Sequence, residues 1–374
     1  MPIIFTFGNK HMAKKKIIVS VTNDLTTDQR VAKICDTLSE MEFEVVLVGR
    51  KLKNSQPLNR YYRTKRFNLW FNKGALFYAN YNTRLFFYLL FSTADFYWSN
   101  DLDTLLANHF ASKWKKKKLI FDSHEYFTEV PELINRPKVQ RFWKKIERKI
   151  LPKLSNSITV SQSIADLYKK EYKISVKILR NIPTLHQQKV EVENLSVKGK
   201  KILIYQGAIN INRGIEYMVE AMKYMDNSIL VLVGKGDISN KIEKLIVSNQ
   251  LDNKVKMLGE VPYEKLYSYT IQADLGLSLE EDAGLNYRYA LPNKLFNYIH
   301  AHIPVLVSNL PEMKNLVNNY QVGEVIDSYN PKDIAEKIKN MLESNNYSRW
   351  VKNCKKTTLE LNWENEKQVI KDLF

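Results

Sequence analysis

Short apolar runs closed by polar residues alternate with segments of helical spacing along most of the chain. KKIIVSVT at 15–22 has the pattern of a buried strand, VAKICDTLSEM at 31–41 that of a helix, and FEVVLVGR at 43–50 that of a second strand. This β-α-β opening predicts a parallel sheet with right-handed crossovers. ADFYWSN (94–100), KLIFDSH (118–124) and SITVSQS (157–163) extend the alternation, each ending in polar residues. The pattern restarts at KKILIYQGAI (200–209). GIEYMVEAMKYM follows as a helix, SILVLVGKGD as a strand, KIEKLIVSN as a helix, VKMLGEV as a strand, then a further helix and the strand ADLGLSL. Two similar doubly wound α/β halves, joined near 184–199 where the chain is polar and lacks a clear period, form the simplest architecture. The segment from about Ser348 to Phe374 reads as helical, carries Trp350 and Trp363, and is placed to pack across both halves.

Composition narrows the class. A chain of 374 residues exceeds one typical core, so two domains are expected. Cys35 and Cys354 lie far apart, which argues against a disulfide framework or a zinc site and suits a reducing cytoplasm. The most apolar run, LFFYLLF at 85–91, is too short to span a bilayer. Residues 1–11 lack a signal-peptide pattern, and Met12 before AKKKIIVSV makes them readable as an upstream extension.

The charge of +17 is unevenly spread. Residues 1–180 hold 33 Lys and Arg against 16 Asp and Glu, whereas residues 181–374 hold 24 of each. The excess clusters at Lys14 to Lys16, Arg60 to Arg66, Lys113 to Lys118 and RFWKKIERKILPKL at 141–154. In the last run Phe142, Trp143, Ile146, Ile150 and Leu151 alternate with Lys and Arg as in amphipathic interfacial helices. A solvated basic face is one reading. Nucleic acid is another, but no recognised nucleic-acid motif accompanies the charge, so no nucleic-acid partner is expected. An anionic membrane surface accounts best for the interleaved aromatics.

Candidate chemistry gathers where strands end. After the first strand, the run Asn23 to Arg30 includes Asp28, which serves equally as a helix cap or a site group. Asp122, His124 and Glu125 end another strand, and a histidine beside acids at a strand's carboxyl end is a site candidate. Asn100-Asp101-Leu102-Asp103 contains an Asp-x-Asp pair, read as a helix cap in preference to a cation site. No metal-ligand spacing appears, nor a P-loop, nor a nucleophile triad with a local signature. In the second half Gly207 ends a strand, and Arg213-Gly214 opens a helix whose N–H groups favour a phosphate. Gly234 and Gly236 allow close backbone approach to a ligand. Between Asp274 and Val305 a strand runs into Glu280, Glu281 and Asp282, and a loop carries Tyr287, Arg288 and Tyr289. Pro292 then opens a helix holding Asn293, Lys294 and Asn297.

The segments TTDQRVAKICDTL, NDLDTLLAN, FDSHEYFTEVPEL, VSQSIADLY, ILRNIP, YQGAININRGIEYMVEAM, LVGKGD and LPNKLFNYIHAHIPVLVSNLPEM keep a recognisable order. In them the chain resembles the GT-B glycosyltransferases of the large retaining family-four class, over nearly its whole length after Met12. The resemblance implies two facing Rossmann-like domains with a C-terminal helix crossing back to the first. Residues 1–185 would bind the acceptor, residues 195–350 the nucleotide-sugar, and residues 351–374 would form the crossing helix. Arg213 matches the cation that contacts the donor diphosphate. Gly207 matches the glycine before a second arginine, but that position is Ala208, and Lys294 is the candidate replacement. Typical members carry two glutamates eight positions apart. The second falls on Asn297, the position eight before is Tyr289, and Glu281 (or Glu280) is the nearest equivalent of the first. His302 stands where a helix-ending glycine is common.

The implied reaction moves a glycosyl group from a nucleoside diphosphate to the hydroxyl of a glycan or lipid-linked acceptor, at the cytoplasmic face of the membrane, in cell-surface polysaccharide biosynthesis. His124, Glu281, Arg213 and Lys294 are the expected catalytic residues. Gly207, Gly234, Gly236, Pro292, Asn293 and Asn297 complete the donor side, and Asp28, Arg30, Asp101, Asp122 and Glu125 the acceptor side with His124. Such enzymes do not normally require a divalent cation, and no cofactor is expected. A GT-B sugar-nucleotide epimerase, or a catalytically weakened binding subunit given Ala208 and Asn297, are the alternatives.

Overall fold

In a computed structural model of the chain, residues 14–374 are described apart from 27, 186–191, 193, 194, 196 and 198. The possible extension at 1–11, Thr27 and most of the joining segment at 184–199 therefore lie outside the described residues. The strand-ending alternation resolves into two sheets. The first contains β1 (Lys16–Ser20), β2 (Glu44–Lys51), β3 (Arg63–Asn68), β4 (Phe96–Asn100), β5 (Lys118–Ser123), β6 (Asn156–Thr159) and β7 (Lys177–Ile178), ordered β3-β2-β1-β4-β5-β6-β7. The second contains β8 (Lys201–Gln206), β9 (Ser228–Val233), β10 (Val255–Gly259), β11 (Leu275–Ser278), β12 (Val305–Val307) and β13 (Gly323–Val325), ordered β10-β9-β8-β11-β12-β13. Neighbours from β1 to β5 and throughout the second sheet pair in parallel. Both orders are doubly wound, so each sheet has a switch point where consecutive strands leave in opposite directions, and ligands bind beyond the carboxyl ends there. Those ends belong to β1 and β4 in the first sheet and to β8 and β11 in the second.

By contact the chain divides into two compact units. One comprises Met1–His124, Lys145–Ile158 and Ile370–Phe374, the other Glu125–Lys144 and Thr159–Val369. Phe374 in the first unit packs its ring 4.6 Å from Phe43 and 5.0 Å from Phe96. In the second unit the sheet is buried on both faces. Met218, Met222, Ile242 and Ile338 cover one side, and Leu295, Phe296, Ile299 and Met313 the other. This is why β8, β9 and β11 read as continuous apolar runs rather than alternating ones.

Two segments gain an element and two readings change. The basic cluster at Arg60 to Arg66 contains β3, an edge strand whose exposed Arg and Lys protect an unpaired edge. Tyr287 and Arg288 lie in a short helix, Leu285–Arg288, rather than a loop. The run LFFYLLF is the end of a long helix, Gly74–Phe91. The basic aromatic segment forms the helix Pro137–Ile150, but Trp143, Ile146, Ile150 and Leu151 are buried in the protein and only Phe142 of that set is exposed. Its apolar stripe is consumed by packing, as in an ordinary amphipathic helix of a globular protein. No helix among the described residues is long and apolar enough to cross a membrane.

Candidate active site

In the second unit the site is built at the β8–β11 switch point. Leaving β8, the chain turns through Gly207, and leaving β9 through Gly234, where φ is +138° and a Cβ would lie 2.0 Å from the Gly207 carbonyl oxygen. Only glycine fits there. Gly214 opens the helix Ile215–Ala221 with φ +69°, and a Cβ on it would meet the Leu279 carbonyl oxygen at 2.0 Å. The close approach sets Arg213 against the end of β11, where Glu280 emerges. Pro292, at φ −63°, starts the helix Asn293–His300, which carries Lys294 inward while Asn293 stays exposed.

These turns bring three charges together. Lys294 Nζ donates to Glu280 Oε1 at 2.5 Å, and Arg213 approaches the same oxygen at 3.7 Å. Ser278 Oγ donates to the other carboxylate oxygen at 2.7 Å. Glu280 is wholly buried. Burial raises its pKa, but Lys294 and then Arg213 outweigh that, so the carboxyl is held below its ordinary value. Two cations face one carboxylate, leaving a net positive charge at a strand end. Each cation also lies on an aromatic ring: Lys294 Nζ is 4.3 Å from the Tyr205 centroid, and the Arg213 guanidinium carbon 5.1 Å from that of Tyr287. Arg213 Nε and Gln206 Nε2 are buried donors without a hydrogen-bond partner among the described residues. Buried donors are normally satisfied, so Arg213 Nε, on the side chain that faces Glu280, is chemically poised to meet an acceptor oxygen.

The carboxylate that meets the cations is Glu280, not Glu281. Glu281 donates its backbone N–H to the Asn212 carbonyl at 3.0 Å and turns its side chain to Tyr217. Burial and the neighbouring Glu216 raise its pKa. Lys294 lies beside Gly207: a Cβ on that glycine would sit 3.5 Å from Lys294 Cε and 3.9 Å from its Nζ. The lysine thus stands next to the turn from which Ala208 offers no charge. Gly236 lies where a Cβ would meet the Ile209 carbonyl oxygen at 2.4 Å. Asn297, half-buried, is one turn beyond Lys294. His302 adopts φ +59°, the left-handed end of its helix, with its N–H bonded to Ile299 and that of Ile303 to Tyr298.

A second polar cluster lies in the first unit, beyond β1, β4 and β5. Arg30 makes a two-pronged bond to Asp122, at 2.6 and 3.1 Å, with both side chains buried. His124 Nε2 lies 3.0 Å from Asn100 Oδ1 and 3.4 Å from Asp122, and its Nδ1 is 3.4 Å from Asp101. The Asp101 carboxylate also accepts the His124 backbone N–H at 2.8 Å. Burial lowers the His124 pKa, but Asp101 and Asp122 outweigh it and raise it to about 9. Burial likewise opposes ionisation of Asp122, yet Arg30 and His124 bring it down to about 2. His124 is therefore an imidazolium at neutral pH, a donor and not a base. Asp28 accepts from the Val31 N–H at 3.0 Å and from Asn23 Nδ2 at 2.7 Å, so it caps the helix Gln29–Glu40. Asp103 accepts from Thr22 at 2.6 Å. Glu125 groups with the second unit, where its carboxylate accepts from Asn286 Nδ2 at 3.2 Å; Asn286 Oδ1 accepts the Tyr126 N–H at 2.9 Å.

Sequence reasoning missed Ser278, Tyr205 and Asn286 as partners in these networks. Ser278 was accessible in principle, because it ends the strand only two residues before Glu280. Asn286 gave no local signal.

The family described as Glycosyltransferase Family 4 matches residues 28–184, and that described as Glycosyl transferases group 1 matches residues 186–357. An uncharacterized glycosyltransferase of Methanocaldococcus jannaschii is 27% identical over 173 residues, 44% of this chain and 42% of that protein. The chain thus spans less than half the length of that curated relative. Among solved structures, a sucrose-phosphate synthase from Thermosynechococcus elongatus superposes with a TM-score of 0.80 at 17% identity, covering 96% of this chain and 98% of the other. Anabaena HepE in complex with UDP-glucose superposes with a TM-score of 0.74 at 13% identity, covering 96% and 99%.

Proposed function

Since the chain belongs to the GT-B glycosyltransferases, with a Family 4 N-terminal half and a group 1 C-terminal half, we propose that it retains anomeric configuration while moving a sugar from a nucleoside diphosphate to a hydroxyl of a glycan or lipid-linked acceptor. The observation that carries this reading is the buried Glu280 bridging Arg213 and Lys294 at the β8–β11 switch point. As the glycosidic bond to the donor breaks, negative charge grows on the diphosphate. Fixed cations in a partly buried site stabilise that charge more than water does. Glu280 holds both cations in place before the donor arrives, so no reorganisation is needed during reaction, and their net positive charge selects a polyanion. The unpartnered Arg213 Nε supplies a further donor.

These cations take the charge-stabilising role a divalent ion fills elsewhere, so turnover is expected to continue in EDTA. In the first unit, His124 as imidazolium donates a hydrogen bond to an oxygen of the sugar or acceptor. Arg30 and Asp122 set its orientation. HepE binds UDP-glucose, which supports a nucleoside-diphosphate hexose as donor here. The basic N-terminal half supports a place at the cytoplasmic face of an anionic membrane, where a lipid-linked precursor of a surface polysaccharide would be met.

The experiment is donor turnover by Arg213→Ala and Lys294→Ala, with circular dichroism to confirm folding. Each is expected to lose about 10²–10³ in kcat, the usual cost of removing one stabilising donor. Near-normal turnover in either variant overturns these roles.

A further inference from the structure

The helices Gly74–Phe91 and Asp101–Lys115 pack side by side in the first unit. The first buries Phe77, Tyr81, Leu85 and Leu89. Its opposite side is also uncharged: Leu76, Ala79, Thr83, Phe87 and Phe91 follow one another at helical spacing, and all are exposed. Phe91 is 81% exposed, and its ring stacks on that of Phe87 with centroids 6.4 Å apart. A surface helix of a soluble protein puts charge on its outer face, and this one does not. The second helix exposes Phe110 and, one turn on, Trp114, which is 75% exposed. Lys115 donates to the carbonyl of Ser92, the residue that ends the first helix, so Phe91 and Trp114 stand at the same end of the pair.

Charge identifies the occupant. Lys113, Lys116 and Lys118 are exposed at that end, with Lys115 and Lys117 partly so. From Leu69 to Lys118 the chain holds seven Lys and Arg against three acids. Asp101 and Asp103 lie at the far end of the second helix, and Asp95 is paired with Lys117 at 3.1 Å. A second copy would bring lysines against lysines across a two-fold axis, which disfavours self-association. Exposed aromatics flanked by uncompensated lysines match a lipid surface bearing negative headgroups. From Leu76 to Phe91 the stripe runs about 22 Å along the helix, enough to lie flat rather than insert end-on.

We propose that the outward faces of these two helices dock on an anionic bilayer, the rings reaching the acyl boundary and the lysines the headgroup phosphates. This rests on the membrane reading of the basic half and moves its apolar anchor from the helix Pro137–Ile150, whose stripe is buried, to this face.

The test is co-sedimentation of the full chain with vesicles of phosphatidylcholine alone or mixed with phosphatidylglycerol. The wild type is expected to pellet with the mixed vesicles and far less with the neutral ones. The double variant Phe87→Ser/Phe91→Ser should bind at least about tenfold more weakly, since one large ring moved out of water is worth about that factor. Lys113→Ser/Lys116→Ser/Lys118→Ser should remove the salt dependence, and both variants should turn over donor with a water-soluble acceptor as the wild type does. Phe142→Ser should bind like the wild type. No binding of the wild type to either vesicle overturns the membrane reading itself. Binding that survives in the Phe87/Phe91 variant but is lost in Phe142→Ser overturns this face alone. A wild-type dimer that the Phe87/Phe91 substitutions dissociate would show a second copy as the occupant, and the proposal would fall.

Discussion

Replacing Glu280 by Gln removes the one negative charge between two buried or half-buried cations while keeping the side chain's shape. Lys294 Nζ and Arg213 share the same Glu280 oxygen at 2.5 and 3.7 Å, so they stand no more than about 6 Å apart. Two unit charges at that distance repel by about 3 kcal/mol at an effective dielectric constant of about 20. The general cost of breaking a buried pair by removing one partner, about 3–5 kcal/mol, agrees. For a unit of this size each kcal/mol moves Tm by about 2–4 °C, so Glu280→Gln should melt about 6–12 °C below the wild type. A nucleoside diphosphate then supplies the missing anion. The rise in Tm on adding UDP should be larger for Glu280→Gln than for the wild type, because the site now holds two uncompensated positive charges. Differential scanning fluorimetry with and without UDP measures both quantities. Glu281→Gln is the control, expected to stay within about 0.5 kcal/mol because its carboxyl is only partly buried and faces Glu216. An unliganded Glu280→Gln protein melting within about 1 °C of the wild type would refute the reasoning, as would a smaller response to UDP.

Stability should also depend on pH through His124. Its pKa rises from an ordinary 6.5 to about 9 on folding, so its contribution is complete below about pH 6.5 and is lost as pH climbs through 9. Urea unfolding across pH 6–10 should show a decline of about 3 kcal/mol that His124→Gln abolishes; an unchanged slope in the variant removes the imidazolium assignment. At the helix end, His302 holds a left-handed φ of +59° that costs an L-residue about 1–2 kcal/mol. After the greater freedom glycine has in the unfolded chain is subtracted, His302→Gly should stabilise by about 0.5–1 kcal/mol, and a lower Tm would contradict that account.

The frame of the fold was legible because each sheet is built from local pieces. Apolar runs closed by polar residues place β1, β2, β4, β5, β8, β9 and β11, and Asp28 and Pro292 mark helix starts by their own chemistry. The edge strand β3 was hidden because a polar, basic sequence on a sheet edge looks like a solvated loop. Helix Pro137–Ile150 misled in the opposite sense: the same stripe suits a membrane interface or a protein core, and periodicity cannot say which surface covers it.

What the sequence determined by itself was the doubly wound order of elements, the glycine turns at Gly207, Gly234 and Gly214, the cations at Arg213 and Lys294, and the concentration of positive charge in the first half. These depend on residue type and short spacing, which are local properties. The tertiary structure decided which of two adjacent glutamates meets the cations. Both lie beyond the end of β11, where Lys294 reaches the Glu280 carboxylate and the close packing of Gly214 on Leu279, with the Glu281 N–H bonded to Asn212, turns the Glu281 side chain to Tyr217. It decided that His124 is charged, because Asp101 and Asp122 arrive from two different strand ends. It also decided that one apolar helix face is buried and another left in water. Asp122 apart, which is two residues from His124, these contacts join residues distant in the chain, and no local pattern encodes them.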